Sequence, residues 1–474
     1  MVLNTNEGHD GKMMPMNTKK RLFGTDGVRG VANRDLTCEM AFALGAAAVQ
    51  LLGSTLVIGR DTRISGNMLE AALVAGITSR GGTAYLAGVI PTPAVALLTR
   101  EFSANGGVVI SASHNPPEYN GIKIFDAEGF KLTPELEDQL EAALQAVVNQ
   151  DESKSKEAAG PLPTGTDIGT AVQIMDAHER YVEHAVSVIR GEEVSLEGLR
   201  VAVDCGNGAA RYSTPDTLRC LGAEVVVIND QGDGAVINVG SGSTDLSQLI
   251  ELVKSSKADA GIAHDGDADR VIAVSASGME IDGDYIEAIC ALDRLATRGI
   301  PGNTVVSTVM CNIGFVQAME QAGLQVLQTP VGDVNVLAAM REGAYAIGGE
   351  QSGHMIFLEH NTTGDGLVTA LMLLAAMQRS GKTLDELANE AMKKYPQTLI
   401  NVRITNRESL NTNAAIAAAT ERAEAELQAS GGGRVLIRAS GTEPLVRVMV
   451  EAAEKDTANS IAQSLADTVE AELA

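Results

Sequence analysis

The stretch GGVVISASHNPPEYNGIKIF, residues 106–125, decides how the rest of the chain is interpreted. It opens with a short apolar, β-branched run that predicts a buried strand. The small and polar run SASHNP follows, and its proline cannot continue regular structure. A hydroxyl in a tight polar turn directly after a buried strand is held in one direction, which suits a nucleophile or a phosphate carrier. The same residues also build ordinary Ser/Asn/Pro turns whose hydroxyls bond to the local backbone.

Around this stretch, strand patterns alternate with helix patterns in three successive units of similar spacing, which predicts an α/β fold with mixed, mostly parallel sheets. After Lys394 the pattern changes to strands with two helices, which predicts a small α+β unit with an antiparallel sheet. Residues 150–168, rich in charge, Gly, Pro and Ser, are the clearest boundary. We expect a disordered or flexible tail and four domains, over residues 1–20, 21–165, 166–281, 282–393 and 394–474.

The composition limits the partners of this chain. Its net charge of -25 argues against nucleic acid or an anionic membrane as the main partner. Tryptophan is absent, so platforms for base stacking are not supported. No CxxC pair predicts a zinc site, and no apolar run is long enough to cross a membrane. We therefore expect a cytoplasmic protein that binds a small molecule, with locally concentrated cations if that molecule is anionic.

The run HDGDADR places Asp265, Asp267 and Asp269 on alternate residues at the end of a buried strand. Three carboxylates this close repel one another unless a cation lies between them, and ligands that are all oxygen favour Mg²⁺. An EF-hand calcium loop does not fit, because its sixth position is Arg270 instead of Gly and its twelfth is Ala276 instead of Glu. A solvated acidic turn is the remaining alternative.

The loop GGEQSGH, residues 348–354, offers Glu350, Ser352 and His354 after another strand. On an extended segment, alternate side chains face one way, so these three could bind one polyol. A structural or solvated histidine is the simpler interpretation of His354 on its own.

The stretch RASGTEPLVR, residues 438–447, combines Arg438 and Arg447 with Ser440, Thr442 and the backbone amide of Gly441. Planar guanidinium donors, hydroxyls and a free amide are typical of a phosphate clamp. A hairpin turn with surface arginines is the alternative, although such a cluster is unexpected in a chain this acidic.

Taken in order, FGTDGVRG, SASHNP, DGDADR, GGEQSGH and RASGTEPLVRVMVE resemble the α-D-phosphohexomutase superfamily over nearly the whole chain from Arg21 onward. The resemblance implies four domains around a central cleft, with a shared α/β core in the first three and a mobile lid as the fourth. Within the superfamily, GTDGVRG, Gln351 and YPQTLINVRI are most similar to the bacterial enzymes that interconvert glucosamine 6-phosphate and glucosamine 1-phosphate. Enzymes with the same mechanism that act on mannose or glucose phosphates are the alternative.

The resemblance also implies roles for individual residues. Ser113 matches the family's phosphoserine, and Asp265, Asp267 and Asp269 match its Mg²⁺ ligands together with the Ser113 phosphate. Residues that match catalytic or charge-neutralising positions near the serine are Arg29, His114, Lys123, Arg270 and His354. Residues that match substrate-binding positions are Glu350, Ser352, Arg438, Ser440, Gly441, Thr442 and Arg447. A hexose 1,6-bisphosphate is the implied intermediate and activator, and we expect a monomer or a homodimer.

Three positions and the turn PPEY, residues 116–119, depart from the family pattern. Ala268 stands where the family usually has Gly, Ala439 replaces a lysine, and Val334 stands where an arginine is common. We expect these departures to affect the metal loop, substrate choice or affinity more than the reaction class. Two other functions stay open: an inactive sugar-phosphate-binding protein that keeps the fold, and, less favoured, a calcium-binding structural protein.

Overall fold

The computed structural model describes residues 23–24, 27–148, 162–406, 409–439 and 445–473. The predicted tail over residues 1–20 lies outside these ranges. In chain order the described residues form four separate sheets, which confirms the predicted four-domain α/β class.

The first sheet has six strands in the order β1-β5-β4-β2-β3-β6. These strands are β1 (Val28–Val31), β2 (Thr55–Arg60), β3 (Thr83–Val89), β4 (Gly106–Ile110), β5 (Tyr119–Asp126) and β6 (Thr170–Gln173). The helices of this unit are α1 (Cys38–Leu52), α2 (Gly66–Ser79), α3 (Thr92–Glu101) and α4 (Pro134–Val148). Strands β4, β2, β3 and β6 run parallel, and β5 is antiparallel to both β4 and β1. Strand β6 lies beyond residue 165, so this sheet extends past the predicted first boundary.

Helices cover both faces of the first sheet. Along β2, Leu56 and Ile58 belong to the apolar cluster that contains Leu44 of α1 and Leu73 of α2. Val57 between them belongs to the cluster that contains Val95 of α3. Because successive side chains of a strand point to opposite faces, the uninterrupted apolar run of β2 is buried on both sides.

The second sheet has five strands in the order β11-β10-β9-β7-β8. These strands are β7 (Arg200–Asp204), β8 (Glu224–Ile228), β9 (Ala260–His264), β10 (Val271–Ser275) and β11 (Glu280–Ile281). The helices of this unit are α5 (Ala177–Gly191), α6 (Ser213–Cys220) and α7 (Ser247–Ser256). Strands β9 and β10 form an antiparallel hairpin, and its connection carries the acidic run DGDADR. A hairpin is not the helix–loop–helix arrangement of an EF-hand, which agrees with the exclusion made from the sequence.

The third sheet has four strands in the order β13-β12-β14-β15. These strands are β12 (Thr304–Thr308), β13 (Gln325–Thr329), β14 (Ile347–Gly349) and β15 (Met355–Phe357). The helices of this unit are α8 (Gly283–Thr297), α9 (Ile313–Gln321), α10 (Asp333–Gly343), α11 (Gly366–Ser380) and α12 (Leu384–Ala391). Every residue of α11 from Gly366 to Met377 is buried, as expected for a helix that is apolar on all sides.

The fourth sheet is antiparallel, with its strands in the order β16-β18-β17. Its elements are β16 (Gln397–Arg403), α13 (Ala414–Ala429), β17 (Gly433–Ala439), β18 (Leu445–Ala452) and α14 (Lys455–Leu473). One apolar cluster joins the first three units, with Val95, Val203 and Leu371 among its members. The fourth unit buries its own cluster around Val448. Within the described residues, the core of the fourth unit is therefore separate from the cluster that the first three units share.

Among the described residues, no helix is both long enough and apolar enough to cross a bilayer.

Glu287 is an acidic side chain inside this core. It lies on α8 with no exposed surface, and neither of its carboxyl oxygens has a hydrogen-bond partner among the described residues, although the Ser307 hydroxyl lies in its vicinity. Burial, with the neighbouring Asp284 as a second cause, raises the pKa of Glu287 well above its ordinary value. The folded protein therefore binds this proton more tightly than the unfolded chain does. The free energy of unfolding should fall as pH rises above the ordinary pKa of glutamate.

We predict that Glu287→Met stabilises the protein, and more at pH 8 than at pH 5. Methionine fills a similar volume without a charge to bury, so we expect a gain of about 1–3 kcal/mol at pH 8, the usual penalty of an unsatisfied buried polar group. Urea unfolding at both pH values measures the gain. Glu424→Gln, at an exposed position of α13, is the control and should change the free energy of unfolding by no more than about 0.5 kcal/mol. An equal gain from Glu287→Met at both pH values would contradict the ionisation argument.

Candidate active site

Ser113 lies in a rigid turn between β4 and β5. Its side chain is fully buried, and its backbone is in the left-handed region, with φ 52°. Its N–H donates to Ser111 Oγ (2.8 Å), and its carbonyl oxygen accepts from Asn238 Nδ2 (2.8 Å). Because this conformation costs a non-glycine residue about 1–2 kcal/mol, the surrounding bonds must hold it. The hydroxyl is thus fixed in direction, as expected for a turn directly after a buried strand.

Arg63 anchors this turn and was not among the predicted site residues. It is buried and forms an ion pair with Asp61, Nε to Oδ2, at 3.0 Å. Its two terminal nitrogens donate to four carbonyl oxygens of the turn, at 2.5–3.0 Å, those of Ser113, Asn115, Pro116 and Tyr119. The charged end of TLVIGRDTR, directly after the apolar run of β2, was the sequence signal that could have identified it.

The three aspartates of the β9–β10 hairpin form one buried cluster. Asp265, Asp267 and Asp269 each offer a carboxylate oxygen, and these oxygens lie within 4.8 Å of one another. Burial, reinforced by the charges of Asp269 and Asp267, raises the pKa of Asp265 well above its ordinary value. Asp267 Oδ1 is buried and has no hydrogen-bond partner in the described part of the chain. An all-oxygen donor set with an open, buried carboxylate oxygen fits a hard divalent cation, so the cluster is able to hold a metal ion.

Contacts from the first unit reach this cluster. Ser113 Oγ donates to Asp265 Oδ2 at 2.5 Å. The buried Lys123, on β5, places Nζ 2.8 Å from Asp267 Oδ2 and 3.1 Å from Asp269 Oδ2. The serine and the acidic hairpin, which are more than 150 positions apart in the chain, thus form one site.

Thr92 is a second contact that the sequence analysis missed. Its hydroxyl donates to Asp267 Oδ2 at 2.6 Å, and its N–H donates to the carbonyl oxygen of Asp267 at 2.9 Å. It is the first residue of α3, where the sequence showed only a proline-led helix start. No local pattern could have indicated this role, because the contact joins two units of the fold.

Cationic and imidazole side chains surround the serine. Arg29 Nη1 donates to Asn115 Oδ1 at 3.0 Å, and Arg270 Nε lies 3.9 Å from Asp269 Oδ1. The His114 ring places Nδ1 3.3 Å from Ser113 Oγ. Burial, followed by the positive charges of Arg270 and Arg29, lowers the pKa of His114 to about 4. Its imidazole is therefore neutral near pH 7.

Ala268, one of the three departures, lies inside the acidic hairpin. Its φ is 55°, a conformation that glycine adopts more readily than alanine. Its carbonyl oxygen accepts from the N–H of Gly366 at the start of α11. The methyl group is thus accommodated in a backbone conformation held from the third unit.

The loop between β14 and β15 approaches the acidic hairpin. The backbones of Arg270 and His354 form an antiparallel bridge, and the N–H of Val271 donates to the carbonyl oxygen of Gly353 at 3.1 Å. The sugar-contacting loop implied by the family resemblance is therefore in contact with the candidate metal loop.

The sequence predicted that Glu350, Ser352 and His354 project from one extended segment. The structure differs, because the loop closes into a turn. The N–H of Gly353, whose φ is 87°, donates to the carbonyl oxygen of Glu350 and closes a turn. Ser352 is consequently exposed, whereas His354 is buried with its Nε2 3.6 Å from Asp333 Oδ2. Glu350 Oε1 accepts from the N–H of Gly332 at 3.1 Å, and Ser352 Oγ lies 3.4 Å from Glu350 Oε2.

The predicted phosphate clamp lies on the hairpin of the fourth unit. Arg438 of β17 is directly opposite Arg447 of β18. Burial, and then the positive charge of Arg447, lowers the pKa of Arg438. Two like charges in directly opposed positions are destabilising unless an anion joins them. Ser440, Gly441 and Thr442 lie outside the described residues.

Four family models match successive segments of the chain. The phosphoglucomutase/phosphomannomutase models match it in order, alpha/beta/alpha domain I over residues 20–151, domain II over 179–278, domain III over 282–395 and the C-terminal domain over 399–468. The chain therefore belongs to the phosphoglucomutase/phosphomannomutase family, within the α-D-phosphohexomutase superfamily, as its motifs predicted. It is an enzyme of the mutase class.

Its relatives carry a more specific name. The chain is 50% identical over 467 residues to the phosphoglucosamine mutase of Frankia alni, a match that covers 96% of this chain and 99% of that protein. It is 51% identical over 460 residues to the phosphoglucosamine mutase of Symbiobacterium thermophilum, with the same coverage.

Solved structures share the fold. A phosphoglucomutase/phosphomannomutase family protein from Burkholderia thailandensis matches with a TM-score of 0.76 and 25% identity, over 96% of this chain and 98% of that one. The N-acetylphosphoglucosamine mutase of Aspergillus fumigatus, solved with GlcNAc-6P and magnesium, matches with a TM-score of 0.66 and 20% identity, over 95% of each chain. At that identity the second match shows the fold alone.

We predict that Arg63→Lys both destabilises the protein and lowers its activity. Lysine keeps the charge beside Asp61 but cannot reach four carbonyl oxygens, so buried acceptors of the serine turn lose their donors. We expect the free energy of unfolding to fall by about 2–4 kcal/mol, in the range for breaking a buried charged network. Urea unfolding and a mutase assay measure the two effects. Arg34→Lys is the matched control, since Arg34 forms an exposed pair with Asp35 and should change stability by less than about 1 kcal/mol. Equal effects of the two substitutions would contradict the anchoring role.

Proposed function

We propose that this chain is a phosphoglucosamine mutase, which interconverts glucosamine 6-phosphate and glucosamine 1-phosphate through a phosphoserine enzyme and a hexose 1,6-bisphosphate. The observation that carries the proposal is the 2.5 Å hydrogen bond from Ser113 Oγ to Asp265 within a buried cluster of three carboxylates. A hydroxyl at that position would carry its phosphoryl group beside a cation site. Identity of about one half to relatives of that name supports glucosamine as the sugar.

The cation proposed for the cluster is one Mg²⁺ per chain, held by Asp265, Asp267 and Asp269 together with the Ser113 phosphate. The absence of His and Cys from the donor set supports this choice. When bound, Mg²⁺ supplies positive charge that neutralises the phosphoryl oxygens.

The residues of the serine turn would then carry out phosphoryl transfer between Ser113 Oγ and a sugar oxygen. A sugar hydroxyl oxygen attacks the phosphorus, the bond from phosphorus to Ser113 Oγ breaks, and a bond from phosphorus to the sugar oxygen forms. The proton lost by the sugar hydroxyl is regained by Ser113 Oγ. His114 is neutral and 3.3 Å from that oxygen, a position suited to passing the proton. Lys123, Arg29 and Arg270 would stabilise negative charge as it shifts between the two oxygens.

A mutase needs a second phosphate site that faces the first. We assign it to the clamp of the fourth unit, Arg438 and Arg447 with Ser440, Gly441 and Thr442. Glu350 and Ser352 would hold the sugar hydroxyls between the two sites, with His354 beside them. The bisphosphate reorients between the two sites, so that its two phosphate groups exchange places. Its other phosphoryl group then returns to Ser113.

Several expectations from the sequence stay predictions. These are the domain boundaries at residues 165, 281 and 393, the cytoplasmic location, and the choice between a monomer and a homodimer.

We predict that Ser113→Ala abolishes mutase activity and leaves the fold intact, because alanine keeps the small buried side chain and loses the oxygen that carries phosphate. Peptide mass after incubation with Mg²⁺ and glucose 1,6-bisphosphate should show one phosphate on the Ser113 peptide of the wild type and none in the variant. Circular dichroism checks the fold, and Ser255→Ala, at an exposed position of α7, is the control. Full activity of Ser113→Ala would reject the mechanism.

We predict that the wild type prefers glucosamine 6-phosphate to mannose 6-phosphate and glucose 6-phosphate. A coupled assay of kcat/KM for the three substrates, each activated by its own bisphosphate, tests the preference. A higher kcat/KM for either neutral sugar would favour the phosphomannomutase/phosphoglucomutase alternative. No turnover of any of them by enzyme that carries phosphate on Ser113 would favour an inactive binding protein.

A further inference from the structure

The sugar-contacting loop is attached to a buried acid that the mechanism does not use. Asp284, in the first turn of α8, has no exposed surface. Its Oδ2 accepts a hydrogen bond from Gln351 Nε2 at 2.9 Å, and the N–H of the preceding Gly283 donates to the carbonyl oxygen of Gln351 at 3.0 Å. Gln351 stands between Glu350 and Ser352, so the start of α8 holds the middle residue of the loop by its side chain and its backbone.

The same oxygen of Asp284 holds a second segment. It accepts from the N–H of Asn312 at 2.9 Å. The Asn312 side chain in turn bonds both polar backbone atoms of Tyr395, with Nδ2 to the carbonyl oxygen at 2.9 Å and the Tyr395 N–H to Oδ1 at 2.9 Å. Tyr395 belongs to the short connection between α12 and β16, where the chain passes from the third unit to the fourth. Asp282, which caps α8, also pairs with Lys394 of this connection.

The neighbours of Asn312 contact the sheet of the fourth unit directly. The N–H of Ile313 donates to Glu451 Oε2 at 3.1 Å, and the carbonyl oxygen of Cys311 accepts from Arg434 Nη2 at 2.7 Å. Arg434 and Glu451 are cross-strand partners on β17 and β18, and they form an ion pair at 2.9 Å. The opposed pair Arg438 and Arg447 lies four residues further along the same two strands. One short segment of the third unit therefore supports the hairpin that carries the phosphate clamp.

We infer that Asp284 is a positioning residue that couples the sugar-contacting loop to the orientation of the phosphate clamp. One carboxylate oxygen receives a donor from the loop and a donor from the segment that supports the fourth unit. In a buried site a lost hydrogen bond is expensive, so a shift of either segment is opposed by the other. The inference rests on the proposed function, because the proposed function assigns the sugar to the loop and the second phosphate to the clamp.

The variants follow from the geometry of Asp284. Its other oxygen, Oδ1, has no hydrogen-bond partner among the described residues, so asparagine can replace it and keep Oδ2 as an acceptor. Asp284→Asn should therefore retain kcat/KM within about threefold, whereas Asp284→Ala removes the shared acceptor. Gln351→Met removes only the donor of the loop. Asn312→Ala removes the two bonds to Tyr395 and also the N-cap bond that Asn312 Oδ1 accepts from the N–H of Gly314 at 3.0 Å.

The central test is whether the effect of Gln351→Met depends on Asp284. In the wild type we expect Gln351→Met to lower kcat/KM for glucosamine 6-phosphate about tenfold, mostly through KM, as for a typical coupling between sites. In the Asp284→Ala background it should change kcat/KM by less than about twofold, because the acceptor is already gone. In the Asp284→Asn background the tenfold effect should return. The same tenfold effect in all three backgrounds would mean that Asp284 only stabilises the fold, and it would overturn the inference.

A second measurement does not depend on turnover or on the Asp284 variants being folded. Hydrogen–deuterium exchange of the full chain should show faster exchange in residues 347–354 after Asn312→Ala, because the support of the loop is loosened at a distance. Asn413→Ala is the matched control, since it also removes an asparagine N-cap, that of α13, together with a donor bond to Glu472, and has no link to Asp284. Unchanged exchange in residues 347–354 after Asn312→Ala would reject the coupling. Failure of the proposed function would show instead as a wild type that turns over no hexose phosphate.

Discussion

The repulsion among three buried carboxylates is the constraint on which this structure depends. Asp265, Asp267 and Asp269 are buried, and one carboxylate oxygen of each lies within 4.8 Å of the others, so their negative charges repel one another. A hairpin connection is short enough to force them together, and Lys123 from another unit offsets part of their charge. Without a cation, burial and mutual repulsion favour protonation of Asp265. The repulsion within the cluster is therefore one that a bound cation would relieve, which agrees with its ability to hold a metal ion.

This constraint also explains how the first two units are joined. Ser113, Lys123 and Thr92 all belong to the first unit, and each bonds to an aspartate of the second unit. The contacts are polar and buried, so they are directional as well as strong. Arg63 holds the serine turn through hydrogen bonds to four backbone carbonyls. Ser113 Oγ therefore cannot move away from the aspartate cluster without breaking that network. Position and charge, more than any reactive side chain, are what phosphoryl transfer asks of a protein.

The sequence indicated the separate motifs of this site but not the contacts that bring them together. The alternation of strands and helices was sufficient for the four-unit α/β class, and alternate aspartates after a buried strand were sufficient for a cation cluster. Arg63, Thr92 and Asn238 were missed because their roles arise from contacts across units or with backbone atoms, which leave no local pattern. The loop of Glu350 was misjudged because Gly353 closes a turn where an extended segment was assumed. The boundary at residue 165 was drawn from composition alone, and β6 was not identified as a strand because its pairing with β3 depends on the fold.

The separation between the apolar core of the first three units and that of the fourth unit bears on how a bisphosphate intermediate could reorient without leaving the site. The first three units share one apolar cluster, so the serine, the acidic hairpin and the loop of residues 348–354 form a single framework. The fourth unit has its own core and meets that framework through polar contacts at Asn312, Ile313 and Tyr395. Polar contacts of this kind permit relative movement of two units more readily than a shared apolar core does. In the proposed function, a fourth unit that moves must still return Arg438 and Arg447 to one position relative to the bound sugar. Directional hydrogen bonds that converge on one buried oxygen satisfy both requirements, because they fix an orientation without merging the two cores.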